Sequence, residues 1–300
     1  MSRLLDPFAT AQVLPAVALA QEIAALLSDP SVQVPERLVQ PLPGGGSLFV
    51  MPALDGRIAI TKLITFTPGN AGTGRATIQG DVVVFDAQSG ERVLVLDGPT
   101  VTAQRTAAVS LLAAQRLAPL AGGPLLIVGA GVQGRSHLEA FAAGLGVREV
   151  HVASRTPASA QALVDHARAL GLHARVAEDA DAMLARCPLV VTCTPASQVV
   201  LHGPVRDDAF VAAVGAFTPR MMELAPALCR DFAARGRIVL DTPDARHEAG
   251  DLLQAGLEVG ALPTLRDVVA GAVRGSGPVL FKSCGWAGWD LAAARCALRA

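Results

Sequence analysis

The run LLIVGAGVQGRSHLEAF, which begins at Leu125, constrains the fold more than any other part of the sequence. An apolar, strand-like segment leads into glycines with the spacing G-x-G-x-x-G, and a helix-like segment follows. The glycines permit a tight turn, a close backbone approach to a pyrophosphate and close helix packing. This context predicts a dinucleotide-binding βαβ unit, the alternative being a glycine-rich turn in an α/β core. The predicted dinucleotide contacts are Gly129, Ala130, Gly131, Val132, Gln133 and Gly134.

Downstream of this turn, short apolar runs recur between stretches with helical spacing. The runs are EVHVAS, LVVTCT, FVAAVGA and RIVLD. Buried strands alternating with helices are typical of a parallel sheet covered on both faces. We therefore predict a doubly wound α/β domain of the Rossmann type over residues 119–278.

The first part of the chain has a different pattern. GRIAITKLITF alternates in the manner of a strand, and GDVVVFDAQSGERVLVLDG has two strand runs around a polar turn, which predicts a hairpin. TVTAQRTAAVSLLAAQRLA and the closing WDLAAARCALRA have helical spacing. We predict a smaller α+β domain from this first part of the chain, and we expect the closing helix to fold back onto it.

Charge and cysteine content narrow the class of protein. With 25 basic and 26 acidic residues the net charge is −1, so no overall field attracts nucleic acid or an anionic membrane, and we expect a small-molecule partner. The five cysteines form no Cys-x-x-Cys pair, which favours reduced thiols in the cytoplasm.

AVALAQ resembles a signal-peptidase site, but polar residues and Pro15 interrupt the apolar region before it. No apolar run reaches the roughly 18 residues of a membrane span.

The histidines and the segment HEAGD are candidate sources of metal ligands or catalytic acids. The six histidines lack ligand spacing, and we expect no metal site. Glu248 and Asp251 of HEAGD have no assigned role, and helix capping is the favoured explanation for them.

The segment EVHVASRTP bears on the type of dinucleotide. Ser154 lies 20 positions after the last glycine of the motif, where NAD-binding proteins commonly carry an acid. Arg155 can pair with a 2′-phosphate, and Ser154 and Thr156 can donate hydrogen bonds to it. We therefore expect NADPH, with NADH as a second possibility and a solvated Arg155 as the structural alternative. Thr192 and Thr194, near the end of a later strand, are expected to face the cofactor or to be ordinary strand-end hydroxyls.

Three cations in the first domain form a candidate anion site. By parity, Lys62 shares its strand face with Ile58, Ile60, Ile64 and Phe66. A lysine on such a face must reach water or meet an anion, and the strand alone leaves both open. If Thr102 caps its helix, Arg105 lies in the first turn, where a cation is unfavourable without an anion. We expect Lys62, Arg105 and Arg37 to bind a substrate carboxylate together.

Several motifs in order resemble the ornithine cyclodeaminase and μ-crystallin family. They are VMPALDGRIAITKLITFTPGN, DGPTVTAQRTAAVS, IVGAGVQGRSHLEAF, EAGD and KSCGWAGWDLA, and the resemblance extends from about Arg37 to about Ala292. It implies a homodimer in which residues 1–118 and 279–300 form the substrate-binding and dimerisation domain. It also implies a carboxylate site made by Arg37, Lys62 and Arg105. It also implies that Thr77 lines the substrate pocket and that Ser110 and Ser283 contact the dinucleotide.

One departure distinguishes members of that family. In VGAFTPRMMEL, Phe217 stands where the resemblance places the aspartate of ornithine cyclodeaminases, which assists deamination and ring closure. Those enzymes also retain NAD and carry an acid where this chain has Ser154. The sequence is therefore most similar to the ketimine reductases, which reduce Δ1-pyrroline-2-carboxylate to L-proline and often Δ1-piperideine-2-carboxylate to L-pipecolate. Phe217 is then expected to be an apolar wall of the substrate pocket or a core residue outside it.

The resemblance implies hydride transfer from NADPH to C2 of a cyclic imine whose carboxylate is bound by Arg105, Lys62 and Arg37. The proton donor stays open between Lys62, a water molecule and solvent. Three rival functions remain: an ornithine cyclodeaminase, an alanine dehydrogenase-like oxidoreductase acting on pyruvate and ammonia, and a non-enzymatic μ-crystallin-like binder of NADPH and a small ligand.

Overall fold

The computed structural model of the protein describes residues 3–70, 72–195 and 198–300; residues 1 and 2, where the expected first domain begins, lie outside them. The strands are β1 (Arg3–Leu4), β2 (Leu38–Leu42), β3 (Gly46–Leu54), β4 (Ile58–Phe66), β5 (Ile78–Asp86), β6 (Arg92–Asp97), β7 (Leu125–Val128), β8 (Glu149–Ala153), β9 (His173–Val176), β10 (Leu189–Thr192), β11 (Phe210–Ala213), β12 (Arg237–Leu240) and β13 (Val279–Lys282). The helices are α1 (Pro7–Gln12), α2 (Ala16–Leu27), α3 (Gly98–Leu117), α4 (Val132–Leu145), α5 (Pro157–Ala169), α6 (Ala180–Met183), α7 (Pro226–Arg235), α8 (Gly250–Gln254), α9 (Leu265–Val269) and α10 (Ala287–Arg299).

The chain divides into two compact units. Residues up to Arg105 and the segment Trp286–Ala300 form the first unit, and Thr106–Gly285 form the second. The division differs from the expected boundaries at 118/119 and 278/279. The chain passes from the first unit to the second within α3, and β13 pairs with β11 and β12 in the sheet of the second unit.

The first unit contains a six-stranded sheet with the order β1-β6-β5-β4-β3-β2. β1 is parallel to β6, and the other neighbours are antiparallel, including the predicted hairpin of β5 and β6. The alternation predicted for β4 is present, because Ile58, Ile60, Lys62 and Ile64 are all buried. This face packs against α10, which in turn packs against α2.

The opposite face of this sheet presents a row of apolar side chains. Leu38 of β2 is paired with Val50 of β3, which is paired with Leu63 of β4. Leu63 follows Lys62 in the strand and therefore points to the other side. Leu38 is 58% exposed, Leu63 is 45% exposed and Val50 is half-buried. This apolar row is part of a sheet face that α10 does not cover.

The second unit contains the predicted parallel sheet, with the order β12-β13-β11-β10-β7-β8-β9. All of its pairings are parallel, so the doubly wound α/β architecture predicted from the sequence is confirmed. The strand order reverses between the neighbours β7 and β10: β8 and β9 follow β7 on one side, and β11, β13 and β12 follow β10 on the other. Ligands of such sheets bind beside the carboxyl ends of the strands at this switch point.

Candidate functional site

A cavity of about 670 Å³ opens at the carboxyl ends of β7 and β10. Parallel pairing in register brings Val128 and Thr192, the last residues of these strands, side by side. The segments that follow both strands therefore meet at the cavity. Its lining includes Val128, Gly129, Ala130, Gly131, Val132, Gln133, Ala153, Ser154, Arg155, Thr156, Ser159, Glu178, Cys193, Thr194 and Pro195.

The three motif glycines have different physical roles. Gly129 has φ +116°, and a Cβ there would lie 2.7 Å from the carbonyl oxygen of Cys193. A Cβ on Gly134 would lie 2.1 Å from the carbonyl oxygen of Gly129, so this glycine lets α4 approach the turn. A Cβ on Gly131 would meet nothing within 4 Å. The space beside Gly131, at the N-terminus of a 14-residue helix, fits the pyrophosphate of a dinucleotide.

The segment after β8 supplies the predicted cation and hydroxyls to the same cavity. Ser154 is half-buried, whereas Arg155 and Thr156 are exposed, and all three line the cavity. Thr156 is the N-cap residue of α5. Glu178, beyond the end of β9, also lines the cavity and was not anticipated from the sequence. Arg155 thus provides a positive group directly after Ser154, which occupies the position where an acid would select against a 2′-phosphate.

The two strand-end threonines share one buried carboxylate. Thr192 is fully buried and its hydroxyl donates to Glu223 at 3.0 Å, whereas Thr194 lines the cavity. Glu223 also accepts from the Thr194 hydroxyl at 2.8 Å and from the amides of Thr194 and Gly215, both at 2.7 Å. Burial raises the pKa of Glu223, and the nearby Lys282 ammonium opposes that increase. Glu223 therefore ties the cavity wall to the segment that begins at Gly215.

Asp251 supports the same segment, which corrects the expectation that it caps a helix. It lies in the first turn of α8, but its Oδ1 accepts from the amides of Glu223 at 2.6 Å and Leu224 at 2.9 Å. Its Oδ2 lies 2.8 Å from the Lys282 ammonium, and both side chains are fully buried. Burial alone would lower the pKa of Lys282, but Asp251, Cys284 and Glu223 together outweigh it, and the pKa is raised. Glu248 ends the short helical turn of residues 243–247.

Ser110 and Ser283 are buried in the second unit and are absent from the cavity lining described above. His137 Nδ1 lies 2.8 Å from the carbonyl oxygen of Gln133, so Nδ1 carries the proton and Nε2 accepts from the Ser110 hydroxyl at 2.9 Å. Burial lowers the pKa of His137 to about 4. Ser283 donates to Asp241 at 2.8 Å. A contact of either serine with a dinucleotide would therefore use the lone pairs of its hydroxyl.

In the first unit, two predicted cations meet a carboxylate that sequence reasoning missed. Lys62 Nζ lies 2.8 Å from Oδ2 and 3.1 Å from Oδ1 of Asp290, a residue of α10. Arg105 Nε lies 3.6 Å from Oδ1 of the same carboxylate. Lys62 is 1% exposed, Arg105 is 7% exposed and Asp290 is fully buried. Lys62 and Asp290 thus form a buried ion pair.

This cluster has more donors than it uses. A guanidinium carries five N–H donors and an ammonium carries three. Over the described part of the chain, the Arg105 side chain forms no hydrogen bond, its buried Nε included, and the Lys62 side chain forms one, to Asp290. Burial lowers the pKa of Lys62 to about 8, with Arg105 and Arg37 acting in the same direction and Asp290 opposing them. The unsatisfied donors and the excess positive charge favour binding of a second carboxylate.

The helix position predicted for Arg105 is wrong, and the anion beside its buried side chain is the carboxylate of Asp290. α3 begins at Gly98 and not after Thr102, because Asp97 accepts from the Thr100 amide at 2.8 Å and caps the helix earlier than expected. Arg105 therefore lies beyond the second turn, and the helix dipole does not explain its need for an anion.

The other predicted substrate residues lie in different parts of the chain. Arg37 is half-buried just before β2 and is close enough to lower the pKa of Lys62. Thr77 is half-buried just before β5. Phe217 is 39% exposed in the second unit, in the segment that Glu223 ties to the cavity. Phe217 is thus not a fully buried core residue.

A signal for the buried acids was present in the sequence. Lys62 and Lys282 are the two lysines of the chain, and both lie in strand-like apolar runs. A buried ammonium requires an anion, so two acids in apolar surroundings had to be found. Asp290 in GWDLAAAR was a candidate because most of its neighbours in that helix are apolar.

Metal clusters and membrane helices are both absent from the described ranges. Within residues 3–70, 72–195 and 198–300, no group of three or more His, Cys, Asp or Glu side chains is placed to hold a metal ion. In the same ranges, no helix combines the length and the hydropathy needed to cross a bilayer.

Comparison with known proteins gives consistent matches. A sequence model described as the ornithine cyclodeaminase/mu-crystallin family matches residues 13–298. Delta(1)-pyrroline-2-carboxylate reductase 2 of Burkholderia ambifaria is 42% identical over 264 residues, covering 88% of this chain and 83% of that protein. Delta(1)-pyrroline-2-carboxylate reductase 1 of Burkholderia multivorans is 41% identical, covering 97% and 94%. The structure of Thermococcus litoralis Delta(1)-pyrroline-2-carboxylate reductase in complex with NADH and L-proline has the same fold, with a TM-score of 0.85, 22% identity and coverage of 99% and 94%.

Proposed function

The chain belongs to the ornithine cyclodeaminase/mu-crystallin family, and from that premise we propose that it reduces the cyclic ketimine Δ1-pyrroline-2-carboxylate to L-proline. The six-membered Δ1-piperideine-2-carboxylate is the expected second substrate. The names of the Burkholderia relatives, which are more than 40% identical to this chain, support this reaction.

The observation that carries the proposal is the surplus of buried donors around Asp290. Arg105 has no hydrogen-bond partner among the described residues, and Lys62 has one. A small substrate with a carboxylate beside its reacting carbon would satisfy both. Holding the reacting carbon in this way contributes through orientation, which in favourable cases lowers the barrier by about 7–11 kcal/mol. Arg37 is the third proposed cation of this carboxylate site.

NADPH is the proposed cofactor, and the cavity of the second unit would hold it. The backbone around Gly131 would bind the pyrophosphate, and Arg155, Ser154 and Thr156 would bind the 2′-phosphate. When bound, the nicotinamide supplies the hydride that reduces C2 of the imine. Ser154 stands where an acid would favour NADH, and the exposed cation of Arg155 follows it, which supports NADPH over NADH.

Phe217 favours reduction over cyclodeamination. A phenyl ring can neither bind the distal amine of ornithine nor exchange a proton with it. Its partial exposure, in a segment tied to the cavity wall through Glu223, is compatible with a role against the apolar ring of a cyclic imine. Thr77 is the proposed polar neighbour of the carboxylate site.

A homodimer is the proposed assembly. The apolar row of Leu38, Val50 and Leu63 lies on a sheet face that α10 leaves uncovered, and a second copy of the chain would bury it. A closed two-fold dimer would bury the same row on both copies.

The proposed function is tested by following NADPH absorbance with four additions: pyrroline-2-carboxylate, piperideine-2-carboxylate, pyruvate with ammonia, and ornithine. The same series is run with NADH. We expect rapid oxidation with the two cyclic imines and faster rates with NADPH than with NADH. Consumption of ornithine with ammonia release and without NADPH oxidation would instead identify a cyclodeaminase. NADPH binding without turnover of any substrate would identify a binder.

A further inference from the structure

The lysines of this protein are unusual in number and position. The chain has two, Lys62 and Lys282, and both side chains are buried. Each ammonium lies 2.8 Å from the carboxylate of a fully buried aspartate, Asp290 for Lys62 and Asp251 for Lys282. The Asp251 pair supports a backbone segment, whereas the Asp290 pair stands beside unsatisfied donors.

Asp290 is held in place by the helix that carries it. Five residues further along α10, Arg295 donates to Asp55 at 2.5 Å and to Asp29 at 2.6 Å. Arg299 pairs with Glu22 of α2. These ion pairs fix the register of α10 against the sheet, so the position of the Asp290 carboxylate is set independently of Lys62.

The charges around Lys62 make Asp290 necessary. Lys62 is buried and shares its surroundings with Arg105 and Arg37, so desolvation and repulsion both favour the neutral amine. Asp290 is the acid in contact with Lys62 among the described residues, and its contact with Arg105 is longer, at 3.6 Å. A neutral amine would bind a substrate carboxylate far more weakly than an ammonium.

We propose that Asp290 is a positioning residue that keeps the Lys62 ammonium charged and aimed before substrate arrives, so that Lys62 and Arg105 can bind the substrate carboxylate. The role in substrate binding rests on the proposed function, whereas the charging of Lys62 does not. The substrate carboxylate need not displace Asp290, because it can accept hydrogen bonds from Arg105 and from the remaining Lys62 donors.

The other titratable groups on the elements around Lys62 affect its charge less than Asp290, Arg105 and Arg37 do. β3 carries none, and β4 carries Lys62 alone. The remaining groups on the elements packed around it are Glu22 on α2, Asp81 and Asp86 on β5, Arg105 and Arg116 on α3, Arg295, Cys296 and Arg299 on α10, and Arg37 before β2. Those that influence the Lys62 charge most are Asp290, Arg105 and Arg37.

The proposal predicts which kinetic parameters change when the Asp290 carboxylate is removed. In Asp290→Asn the pKa of Lys62 falls, so the alkaline limb of kcat/KM moves to lower pH by about one to three units. A bound substrate carboxylate then replaces Asp290 as the anion and returns the proton to Lys62. We therefore expect KM for the imine to rise on the order of tenfold to a hundredfold near pH 8, with a much smaller change in kcat.

The direct test is carbon-13 NMR of protein labelled at the lysine ε-carbon, because two lysines give two assignable signals. In the wild type, the Lys62 signal should titrate near pH 8 and the Lys282 signal at higher pH. Asp290→Asn should lower the Lys62 midpoint and leave that of Lys282 unchanged. The matched control Asp251→Asn should do the reverse. A folded Asp290→Asn protein with an unchanged Lys62 midpoint and an unchanged KM would overturn the proposal.

Two further outcomes separate the charge role from folding and from the proposed function. If Asp290→Asn does not fold, Asp290→Glu decides, because it retains the charge: a Lys62 midpoint within about one unit of the wild type supports the proposal, and a larger fall contradicts it. If the wild type reduces no ketimine yet Asp290→Asn shifts Lys62, the proposed function fails while the charge role of Asp290 stands. Ketimine reduction without that shift refutes the charge role of Asp290 and leaves the proposed function standing.

Discussion

At Arg155, one side chain is proposed to set the preference for a 2′-phosphorylated cofactor. Arg155→Gln should raise KM for NADPH about tenfold and leave KM for NADH nearly unchanged. The factor lies at the low end of the range for a charge-assisted hydrogen bond because Arg155 is exposed. Arg175→Gln is the control, since Arg175 is an exposed arginine of β9 outside the described cavity lining. Steady-state kinetics with both cofactors measures the effect, and equal losses for both would contradict the assignment.

Because His137 is buried in its neutral form, we expect the free energy of unfolding to fall in acid. Its pKa in the folded protein is about 4, below the usual 6.5, so the unfolded chain binds more protons between these values. The stabilisation from neutral His137 is complete above pH 6.5 and is lost as pH falls towards 4. It amounts to about 2 kcal/mol between about pH 7.5 and about pH 5. Denaturant unfolding at both pH values should show this loss in the wild type and a smaller one in His137→Asn; parallel losses would be inconsistent with a buried neutral imidazole.

Single residues were predictable where one pattern determined their surroundings. Strand parity placed Lys62 on a buried face, and the structure confirms this. The capping inference for Arg105 failed because the helix is capped by Asp97 and begins at Gly98, before Thr102. Asp290 was missed because a helix sequence does not reveal which strand its buried face meets.

At the scale of elements, the glycine turn offers a matched pair of substitutions. Gly131→Ala adds a methyl group that meets no protein atom within 4 Å, so it should leave the melting temperature unchanged and weaken NADPH binding tenfold or more by an order-of-magnitude estimate. Gly134→Ala places its Cβ 2.1 Å from the Gly129 carbonyl oxygen and should destabilise the fold by about 1–3 kcal/mol. Fluorescence titration and thermal unfolding separate the two effects. Wild-type affinity in a folded Gly131→Ala protein would show that the pyrophosphate does not approach this residue.

In the second unit, the sequence predicted the buried strands and missed the exposed edge strand. β7, β8, β10, β11 and β12 appear in the sequence as apolar runs because both of their faces are covered. β9 lies at the edge of the sheet and exposes three of its four residues, so its pattern is polar. β13 is buried in the second unit, whereas the expected boundary at 278/279 placed it in the first unit with the closing helix.

At the scale of the whole molecule, the apolar row should hold two copies of the chain together. Leu63→Glu introduces a charge on the sheet face and should convert the dimer to a monomer, because a buried unpaired carboxylate at an interface is strongly unfavourable. Leu170→Glu is the control, since Leu170 is 48% exposed in the second unit. Light scattering coupled to gel filtration gives the mass of each protein. A dimeric Leu63→Glu protein would place the interface elsewhere.

The C-terminal segment returns to the first unit, and the division of the chain into two units could therefore be predicted from the sequence only in part. The change in pattern near residue 119 was visible because strands and helices begin to alternate there. The division itself falls within α3, and a continuous helix carries no sequence signal at that point. The family resemblance supplied the pairing of N-terminal segment and C-terminal helix, and the packing of α10 on β3, β4 and β5 explains it physically.

The central claim is that the cationic cluster around Asp290 recognises the substrate by its carboxylate. The most direct measurement compares kcat/KM for Δ1-pyrroline-2-carboxylate with that for Δ1-pyrroline, which lacks the carboxylate, in the wild type and in Arg105→Met. We predict that the wild type prefers the carboxylated imine by a factor on the order of a hundred or more and that Arg105→Met loses most of that preference. A preference that persists undiminished in Arg105→Met would contradict the account.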